Sequence, residues 1–311
     1  MTNLTLPIFT DADKAREHLE ALHWPDGPIC PHCGVVNEAT LVKGKSHRAG
    51  LYQCNACRQP FSVTVGTVME KSHIPLNKWV LGFHLMAASK KGISAHQLMR
   101  MLGIGSYRTA WFMAHRIREA MAPAASVGPL GGKGRVIEAD ETELSPSRKS
   151  KRRSRDKNKR FVALVERGGH VRSVVIDGAD SQAIRSAIAR HVDPLSTLHT
   201  DGAQVYRYSD LPAPAGIVAS HESVDHNKTY VRKGKKDKVH TNTAEGYFSI
   251  FKRGLVGTYQ HIGEQHLPRY LAEFDFRQNH RARLGVNDTA RAEIAMKAAR
   301  DKRLTYYTVS G

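Results

Sequence analysis

Negative charge is scarce in this sequence of 311 residues. It contains 29 Asp and Glu residues against 47 Lys and Arg residues, which gives a formal net charge of +18 at pH 7 and a pI near 9.9. An excess of one sign repels itself in a folded protein, and a polyanionic partner relieves that repulsion. Nucleic acid is therefore the first candidate partner, and an anionic membrane surface is the second.

Long apolar runs and an export signal are also missing. No stretch approaches the ~18 apolar residues of a membrane-spanning helix. The N-terminus, MTNLTLPIFTDADK, has neither the basic start nor the apolar segment of a secretory signal. Hydrophobic residues make up 41% of the chain, which is typical of a globular protein with its own core. We therefore expect a soluble cytoplasmic protein without a membrane partner, associated with the nucleoid when it is bound to DNA.

Cysteine is rare and occurs only in two close pairs. Cys30 and Cys33 form one C-x-x-C pair, Cys54 and Cys57 form the other, and 20 residues separate the pairs. In a chain without an export signal this spacing indicates a metal site rather than disulfides. Four thiolates complete the tetrahedral coordination of zinc and leave no position for water. The sequence therefore predicts a structural Zn²⁺ in a zinc ribbon.

Changes in composition divide the chain into segments. A capped helix and the cysteine pairs are followed by helical periodicity, then by a Gly-rich stretch, and then by alternating strand and helix patterns. The predicted segments are a helix and zinc ribbon (1–72), a helical region (73–122), a linker (123–134), an α/β domain with a mixed sheet (135–290) and a C-terminal tail (291–311).

Two helical patterns flank Gly103-Ile104-Gly105 within residues 93–121. The second pattern begins after Ser106 and carries Arg108 and Arg116. This spacing is typical of a helix-turn-helix, whose second helix enters the DNA major groove. We therefore predict that Arg108 and Arg116 contact double-stranded DNA, although an ordinary helical hairpin has the same pattern.

Three acidic residues occupy positions where a sheet edge could bring them together. Asp140 ends the predicted strand RVIEADE (135–141), Asp201 ends the predicted strand STLHTDG (196–202), and Glu245 begins a predicted helix. Convergent carboxylates can bind two divalent cations, which activate a nucleophile and stabilise the leaving oxygen in an attack on phosphorus. Hard cations such as Mg²⁺ choose oxygen ligands. The sequence therefore predicts a two-ion site, with Glu138, Glu141 and Glu143 as alternatives to Asp140.

Basic residues lie on both sides of these acids. Residues 148–160 contain nine basic residues and one acid, and residues 228–238 form a second basic run. Lys and Arg in such runs position DNA through its phosphates without reading bases. The predicted phosphate contacts are Arg152, Arg153, Lys235 and Lys236, together with Lys252 and Arg253 on the helix that begins near Glu245.

Taken together, these motifs resemble the DDE transposases of insertion sequences, specifically the zinc-ribbon-bearing, ISXO2-like group. The resemblance rests on the order of the zinc ribbon, the helical region and the three acids, with Lys252 seven residues after Glu245. The segments that carry it are CPHC, CNAC, IEADET, HTDG, VDHNKTYV, HTNTAEGYFSIFKRGLVGTY and HLPRYLAEFDFRQNHR, spread over residues 15–282.

The resemblance implies an RNase H-like catalytic domain that cuts and joins DNA at terminal inverted repeats. It assigns Asp140, Asp201 and Glu245 as the catalytic triad, with two Mg²⁺ or Mn²⁺ ions as cofactors. Asn242 is an alternative to Glu245, because members of the group can use Asn at this position. We expect a homo-oligomer in the DNA complex, since two ends must be held together. Two other functions stay open: a DNA-binding regulator that does not cut, and a metal-dependent nuclease.

Overall fold

A computed structural model of the chain describes residues 3–44, 46–124, 126–144, 159–176, 181–206, 218–234 and 237–305. Internal contacts divide the chain into two compact units. The first unit consists of residues 1–122 and 280–311, and the second consists of residues 123–279. No helix in the described part of the chain is long and apolar enough to cross a lipid bilayer.

The helices and strands of the described residues are numbered here in chain order. The helices are α1 (Pro7–Thr10), α2 (Ala12–His23), α3 (Leu76–Ala88), α4 (Ala95–Leu102), α5 (Tyr107–Met121), α6 (Ser181–His191), α7 (Asn242–Gly254), α8 (Leu267–Asn279) and α9 (Asp288–Lys297). The strands are β1 (Ala39–Leu41), β2 (Tyr52–Cys54), β3 (Pro60–Phe61), β4 (Val136–Leu144), β5 (Lys159–Glu166), β6 (Val171–Ile176), β7 (Thr197–Asp201), β8 (Ser220–Val224), β9 (Arg232–Lys233) and β10 (Lys238–Val239).

The first unit combines a small sheet with helices. Strands β1, β2 and β3 form an antiparallel sheet in that order. The first cysteine pair precedes β1, and the second lies at the end of β2 and in the turn that follows it. Helices α4 and α5 are joined by a short turn, in the helix-turn-helix order that the sequence predicts. Gly103 ends α4 in the left-handed conformation (φ 57°), which favours glycine. Gly82 of α3 faces Met113 of α5, where a Cβ atom would lie 2.7 Å from the Met113 methyl carbon.

The C-terminal part of the chain belongs to the first unit. The predicted boundary at residue 290 lies inside α9, which packs against α3. Arg291 is 7% exposed and donates to the backbone oxygens of His280 (2.7 Å) and Ala87 (3.2 Å). The difference from the predicted tail arises because Ala292, Ala295 and Met296 give α9 a buried face.

The second unit is built on a mixed five-stranded sheet in the order β6-β5-β4-β7-β8. Strands β4, β5 and β6 are antiparallel, whereas β7 and β8 run parallel to β4. One face of the sheet packs on α7 and α8, and the other face packs on α6. This arrangement confirms the predicted α/β architecture with an N-terminal zinc-ribbon-like cluster. The strand predicted over 135–141 continues to Leu144, because every residue to that point pairs with β5.

Helix α8 is fastened to the sheet by a buried carboxylate. The two carboxylate oxygens of Asp275 accept from the backbone N–H (2.7 Å) and hydroxyl (2.8 Å) of Ser173 in β6, and from the hydroxyl of Tyr247 in α7 (2.6 Å). Burial raises the pKa of this carboxyl above its ordinary value. The three donors fix the spacing between α7, α8 and β6.

Because α9 is packed in the interior, substitution of its buried arginine and of its exposed lysine should have different effects on stability. Arg291→Ala leaves buried carbonyl oxygens without a donor, which costs about 1–3 kcal/mol for each unsatisfied group. We expect faster amide hydrogen exchange in α3, while exchange in β4–β6 is unchanged. Lys297→Ala removes the same charge from the exposed side of α9 and is the control. Unchanged exchange in α3 of the Arg291 variant would contradict this account of the packing.

Candidate functional site

The four cysteine sulfurs form a cluster suited to zinc. They all lie within 4.8 Å of one another, with Cys30 Sγ 3.7 Å from Cys57 Sγ and Cys33 Sγ 3.6 Å from Cys54 Sγ. A tetrahedron with Zn–S bonds of about 2.3 Å has sulfur–sulfur edges of about 3.8 Å. The distances therefore fit a fully coordinated zinc ion, and a disulfide would need sulfurs about 2.05 Å apart.

A backbone donor favours the thiolate of Cys54, and aromatic rings pack beside the cluster. The backbone N–H of Cys57 donates to Cys54 Sγ at 3.5 Å, and such bonds lower the pKa of Cys54 to about 7. Trp24 packs edge-on against Tyr52 and Phe61, with ring centroids 5.4 and 5.7 Å away. Tyr52 and Phe61 follow the sequence around the second cysteine pair, whereas Trp24 comes from the end of α2.

Asp140 and Asp201 occupy adjacent positions on neighbouring strands. The parallel register of β4 and β7 pairs Ala139 with Thr200, so Asp140 and Asp201 are the next residues on each strand. Pleating places both side chains on the sheet face that packs on α7, because Asp140 pairs with Ala163 of that core. Strand β7 ends at Asp201 and β4 continues, so Asp140 is at the end of the parallel pairing rather than at the end of its strand.

Glu245 reaches the same face from the first turn of α7. The start of this helix is fixed by Glu138, which is fully buried and lies two residues before Asp140 on the same face of β4. The carboxylate of Glu138 accepts from the backbone N–H groups of Thr243 (2.8 Å) and Ala244 (3.2 Å). A carboxylate at a helix N-terminus is favoured by the unpaired N–H groups and the helix dipole. The strand that carries Asp140 thus sets the position of the helix that carries Glu245.

Arg167 links Glu138 to the segment that precedes α7. Its guanidinium donates to Glu138 Oε1 (2.7 Å) and to the backbone oxygens of Lys238 (2.7 Å) and His240 (2.9 Å). The guanidinium also lies 3.1 Å from His199 Nδ1, and burial and the Arg167 charge lower the pKa of His199 to about 4. His199 is therefore neutral at pH 7, and the half-buried guanidinium of Arg167 pairs with the fully buried carboxylate of Glu138.

Electrostatics link the three predicted acids. Burial raises the pKa of Asp140 to about 7, and the negative charges of Asp201, Glu141 and Glu245 contribute to the rise. A cluster of carboxylates that repel one another is stabilised by a divalent cation, and their oxygens are the ligands that Mg²⁺ prefers. The donor set therefore fits magnesium or manganese. Among the described residues, the cysteines are the group whose ligand atoms all fall within 4.8 Å of one another; the acids are more widely spaced.

The alternative acids on β4 have other partners. Glu141 points to the opposite face of the sheet, where it accepts from the hydroxyl of buried Tyr206. Glu143 pairs with Arg160 of β5 at 2.7 Å. Glu138 has the structural role described above. Asp140 is thus the acid of β4 whose placement fits the predicted site.

The predicted basic contacts are distributed differently. Arg108 is exposed at the start of α5, and Lys252 and Arg253 are exposed on α7. Lys252 Nζ lies 5.9 Å from the ring centre of Phe248, and Arg253 Nε donates to the backbone oxygen of Ser249 at 3.0 Å. The other four predicted phosphate contacts lie outside the described residues: Arg152, Arg153, Lys235 and Lys236.

Arg116 requires a correction. It is 8% exposed in the interior of the first unit, where its guanidinium donates to the backbone oxygens of Glu70 (2.8 Å) and Leu304 (3.2 Å) and lies over the ring of Phe112. The predicted DNA contact does not fit this placement, because the group is already engaged and desolvated. Helical periodicity alone did not distinguish the buried side of α5 from its exposed side.

Three residues of the site are not among the predicted site residues: Arg167, Thr241 and His226. His226 Nδ1 lies 3.2 Å from Glu245 Oε1, and its Nε2 lies 3.1 Å from the hydroxyl oxygen of Thr241. The available sequence signals were the position of Arg167 after a strand and of His226 close to an acid. Neither signal specifies a partner that is distant in sequence.

Two family models match the chain. Residues 129–279 match the ISXO2-like transposase domain, and residues 10–60 match the transposase zinc-ribbon domain. A protein of Halobacterium salinarum, described as an uncharacterized protein in transposable element ISH50, is 27% identical over 290 residues. The similarity covers 88% of this chain and 93% of that protein.

The sulfur geometry predicts one zinc ion per chain. Cys33→Ser removes one thiolate, and we expect loss of the bound zinc and unfolding of β1–β3, because zinc-ribbon folding depends on the metal. Zinc content by elemental mass spectrometry and the near-ultraviolet signal of Trp24 are the measurements. His32→Ala, beside Cys33 in the first pair, is the control and should retain the ion. Full zinc content in the Cys33 variant would contradict four-cysteine coordination.

The raised pKa of Asp140 predicts a conflict between stability and metal binding. The folded state holds this proton more tightly than the unfolded chain, so stability falls as pH rises from about 4 to about 7. A rise in the pKa of Asp140 from about 4 to about 7 corresponds to about 4 kcal/mol. Without Mg²⁺ at pH 8, Asp140→Asn should therefore raise the Tm of the second unit by roughly 8–16 °C.

This gain in the Asp140→Asn variant should shrink at pH 5, where more of the wild-type carboxyl is protonated. Added Mg²⁺ should raise the Tm of the wild type and leave the variant nearly unchanged. Zinc must stay bound throughout, so Mg²⁺ is omitted from the buffer rather than chelated. Equal Tm values for the wild type and the Asp140→Asn variant at pH 8 would show that folding does not raise the pKa of Asp140.

Proposed function

We propose that the chain, whose residues 129–279 match the ISXO2-like transposase domain and whose residues 10–60 match the transposase zinc-ribbon domain, is an insertion-sequence transposase that cuts DNA at the terminal inverted repeats of its element and joins the ends to target DNA. The observation that carries this proposal is the placement of Asp140 beside Asp201, with the charge of Glu245 acting on Asp140. Binding DNA does not require crowded carboxylates, whereas phosphoryl transfer by two metal ions does.

Asp140, Asp201 and Glu245 would hold two Mg²⁺ or Mn²⁺ ions. When bound, the ions would lower the pKa of a water or a DNA 3′-hydroxyl and neutralise charge on the leaving oxygen. The chain's own contribution is to fix the acids. The buried Glu138 carboxylate sets the start of α7, and Asp201 Oδ1 is oriented by the backbone N–H of Ala203 at 3.1 Å. Precise positioning of this kind accounts for much of catalysis in phosphoryl transfer.

Double-stranded DNA would be held by the helical region, the zinc ribbon and the basic runs. The N-terminal end of α5 exposes Arg108 and Thr109, the part of a helix-turn-helix recognition helix that contacts bases. Lys252 follows Glu245 by two helical turns and would meet a phosphate beside the ions. The net charge of +18 supports a strongly salt-dependent affinity. A homo-oligomer would hold two ends together during joining.

The test uses labelled duplexes of the element's ends with purified zinc-bound protein and Mg²⁺. Wild type should cut at the repeat boundary and give joined products. Asp140→Asn, Asp201→Asn and Glu245→Gln should each bind the ends and lose at least about a hundredfold in cleavage rate, since metal ions contribute several kcal/mol. Glu143→Gln, on the same strand as Asp140 but on the opposite sheet face, is the matched control and should stay within a few-fold of wild type.

Each alternative outcome has a definite meaning. Binding of the ends without cleavage by wild type under Mg²⁺ or Mn²⁺ would identify a regulator that does not cut. Cleavage at unrelated sequences without joined products would identify a nuclease. For the third acid, Asn242→Ala should retain activity and Glu245→Gln should lose it. The reverse result would transfer that role to Asn242.

A further inference from the structure

To bind a metal ion, Glu245 requires a contact that restricts its side-chain rotamers. It is 44% exposed in the first turn of α7, and a glutamate at such a position can adopt several rotamers. A metal-binding constellation must be held within about 0.5 Å of its productive geometry. The fastening of α7 through Glu138 fixes the backbone of this turn but leaves the carboxylate of Glu245 free to rotate.

His226 supplies a contact to this carboxylate from another segment of the chain. Its Nδ1 lies 3.2 Å from Glu245 Oε1. The residue follows β8 in a turn closed by bonds from the backbone N–H groups of Lys228 and Thr229 to the backbone oxygen of Asp225, both 3.0 Å. The N–H of Asn227 also donates to the carboxylate of Asp225 at 3.0 Å. His226 is thus held by an ordered turn.

The second ring nitrogen of His226 is held by the cap of the same helix. Its Nε2 lies 3.1 Å from the hydroxyl oxygen of Thr241, which is fully buried. Thr241 is the N-cap of α7, and its backbone oxygen accepts from the N–H of Glu245 at 3.0 Å. If the Thr241 hydroxyl donates to Nε2, Nδ1 carries a ring proton on the side of the Glu245 carboxylate. Both partners are then satisfied.

The plane of the ring is also fixed. Tyr230 packs edge-on against His226, with ring centroids 5.5 Å apart and an angle of 79° between the planes. Because Thr241 and Glu245 engage both nitrogens, neither nitrogen is left to bind a cation or to take a proton from a substrate. The geometry therefore indicates orientation rather than chemistry.

We propose that His226 is a positioning residue that orients Glu245 for divalent-cation binding through the polar contacts of its two ring nitrogens with Thr241 and Glu245. The proposal rests on the proposed function, in which Glu245 is a ligand. Hydrogen-bond partners of this kind typically change metal affinity 10–100-fold when they are removed. The expected effect is therefore on the dissociation constant for the ion, with a smaller effect on kcat at saturating metal.

The test compares three substitutions of the same residue. The amide nitrogen of His226→Asn can occupy the place of Nδ1 and donate to Glu245, whereas the amide of His226→Gln occupies the place of Nε2 and reaches only Thr241. His226→Ala removes both contacts. Mn²⁺ binding is measured by calorimetry on the full-length, zinc-loaded protein, with cleavage rates against Mn²⁺ concentration as a second readout. His170→Ala removes an exposed histidine of the same unit and is the control.

We expect His226→Ala and His226→Gln to weaken Mn²⁺ binding about 10–100-fold, with His226→Asn within about threefold of wild type. In a Glu245→Gln background, His226→Ala should add no further loss. Wild-type Mn²⁺ affinity in His226→Ala would overturn the proposal. Equal losses in all three variants, accompanied by lowered Tm values, would also overturn it, because they would show a structural role only.

A failure of the proposed function would look different. If Asp140→Asn and Glu245→Gln both bind Mn²⁺ as tightly as wild type, the acids are not the metal site. That result removes the proposed function together with the role of His226. If Asp140→Asn and Glu245→Gln lose the ion while His226→Ala keeps it, the proposed function stands and only the positioning role is overturned.

Discussion

The buried carboxylate of Glu138 determines how the second unit is arranged. A charge removed from water is costly unless it is paired and fully hydrogen-bonded. Glu138 meets this requirement with the start of α7 on one side and Arg167 on the other. Because the residue belongs to the same strand face as Asp140, its bonds fix the distance between a strand position and a helix position. The acids meet as a consequence of this anchorage.

The unit contains two kinds of buried acid with opposite consequences. Glu138 and Asp275 are surrounded by donors and fasten helices to the sheet. Asp140 is buried and lies near other negative charges, and both effects raise its pKa to about 7. The hydrogen-bonded acids stabilise the fold by themselves, whereas the charge on Asp140 is stabilised only when a cation binds. The sheet face of β4 therefore carries a structural acid, Glu138, beside an acid whose negative charge is unfavourable in the absence of a cation, Asp140.

Local patterns in the sequence were sufficient for several features and insufficient for others. The cysteine spacing identified the ligand cluster, and the segment RVIEADE identified the strand that carries Asp140. Arg116 was misplaced because both sides of α5 carry cations, and tertiary packing decides which side is buried. The fastening by Arg167 and the chain through His226 connect residues that are far apart in sequence. Such pairings follow from sheet order and register, which periodicity does not specify.

The interleaved order of the two units has a consequence for synthesis. The second unit is one continuous stretch, residues 123–279, whereas in the first unit α3 packs on α9, which follows that stretch in the chain. At 5–20 residues per second, on the order of 10 s separates the emergence of residue 122 from that of α9. The second unit can therefore fold first on the ribosome, and the first unit is completed last. A truncated product would hold the acids without a finished partner unit, so translation itself orders the maturation of the protein.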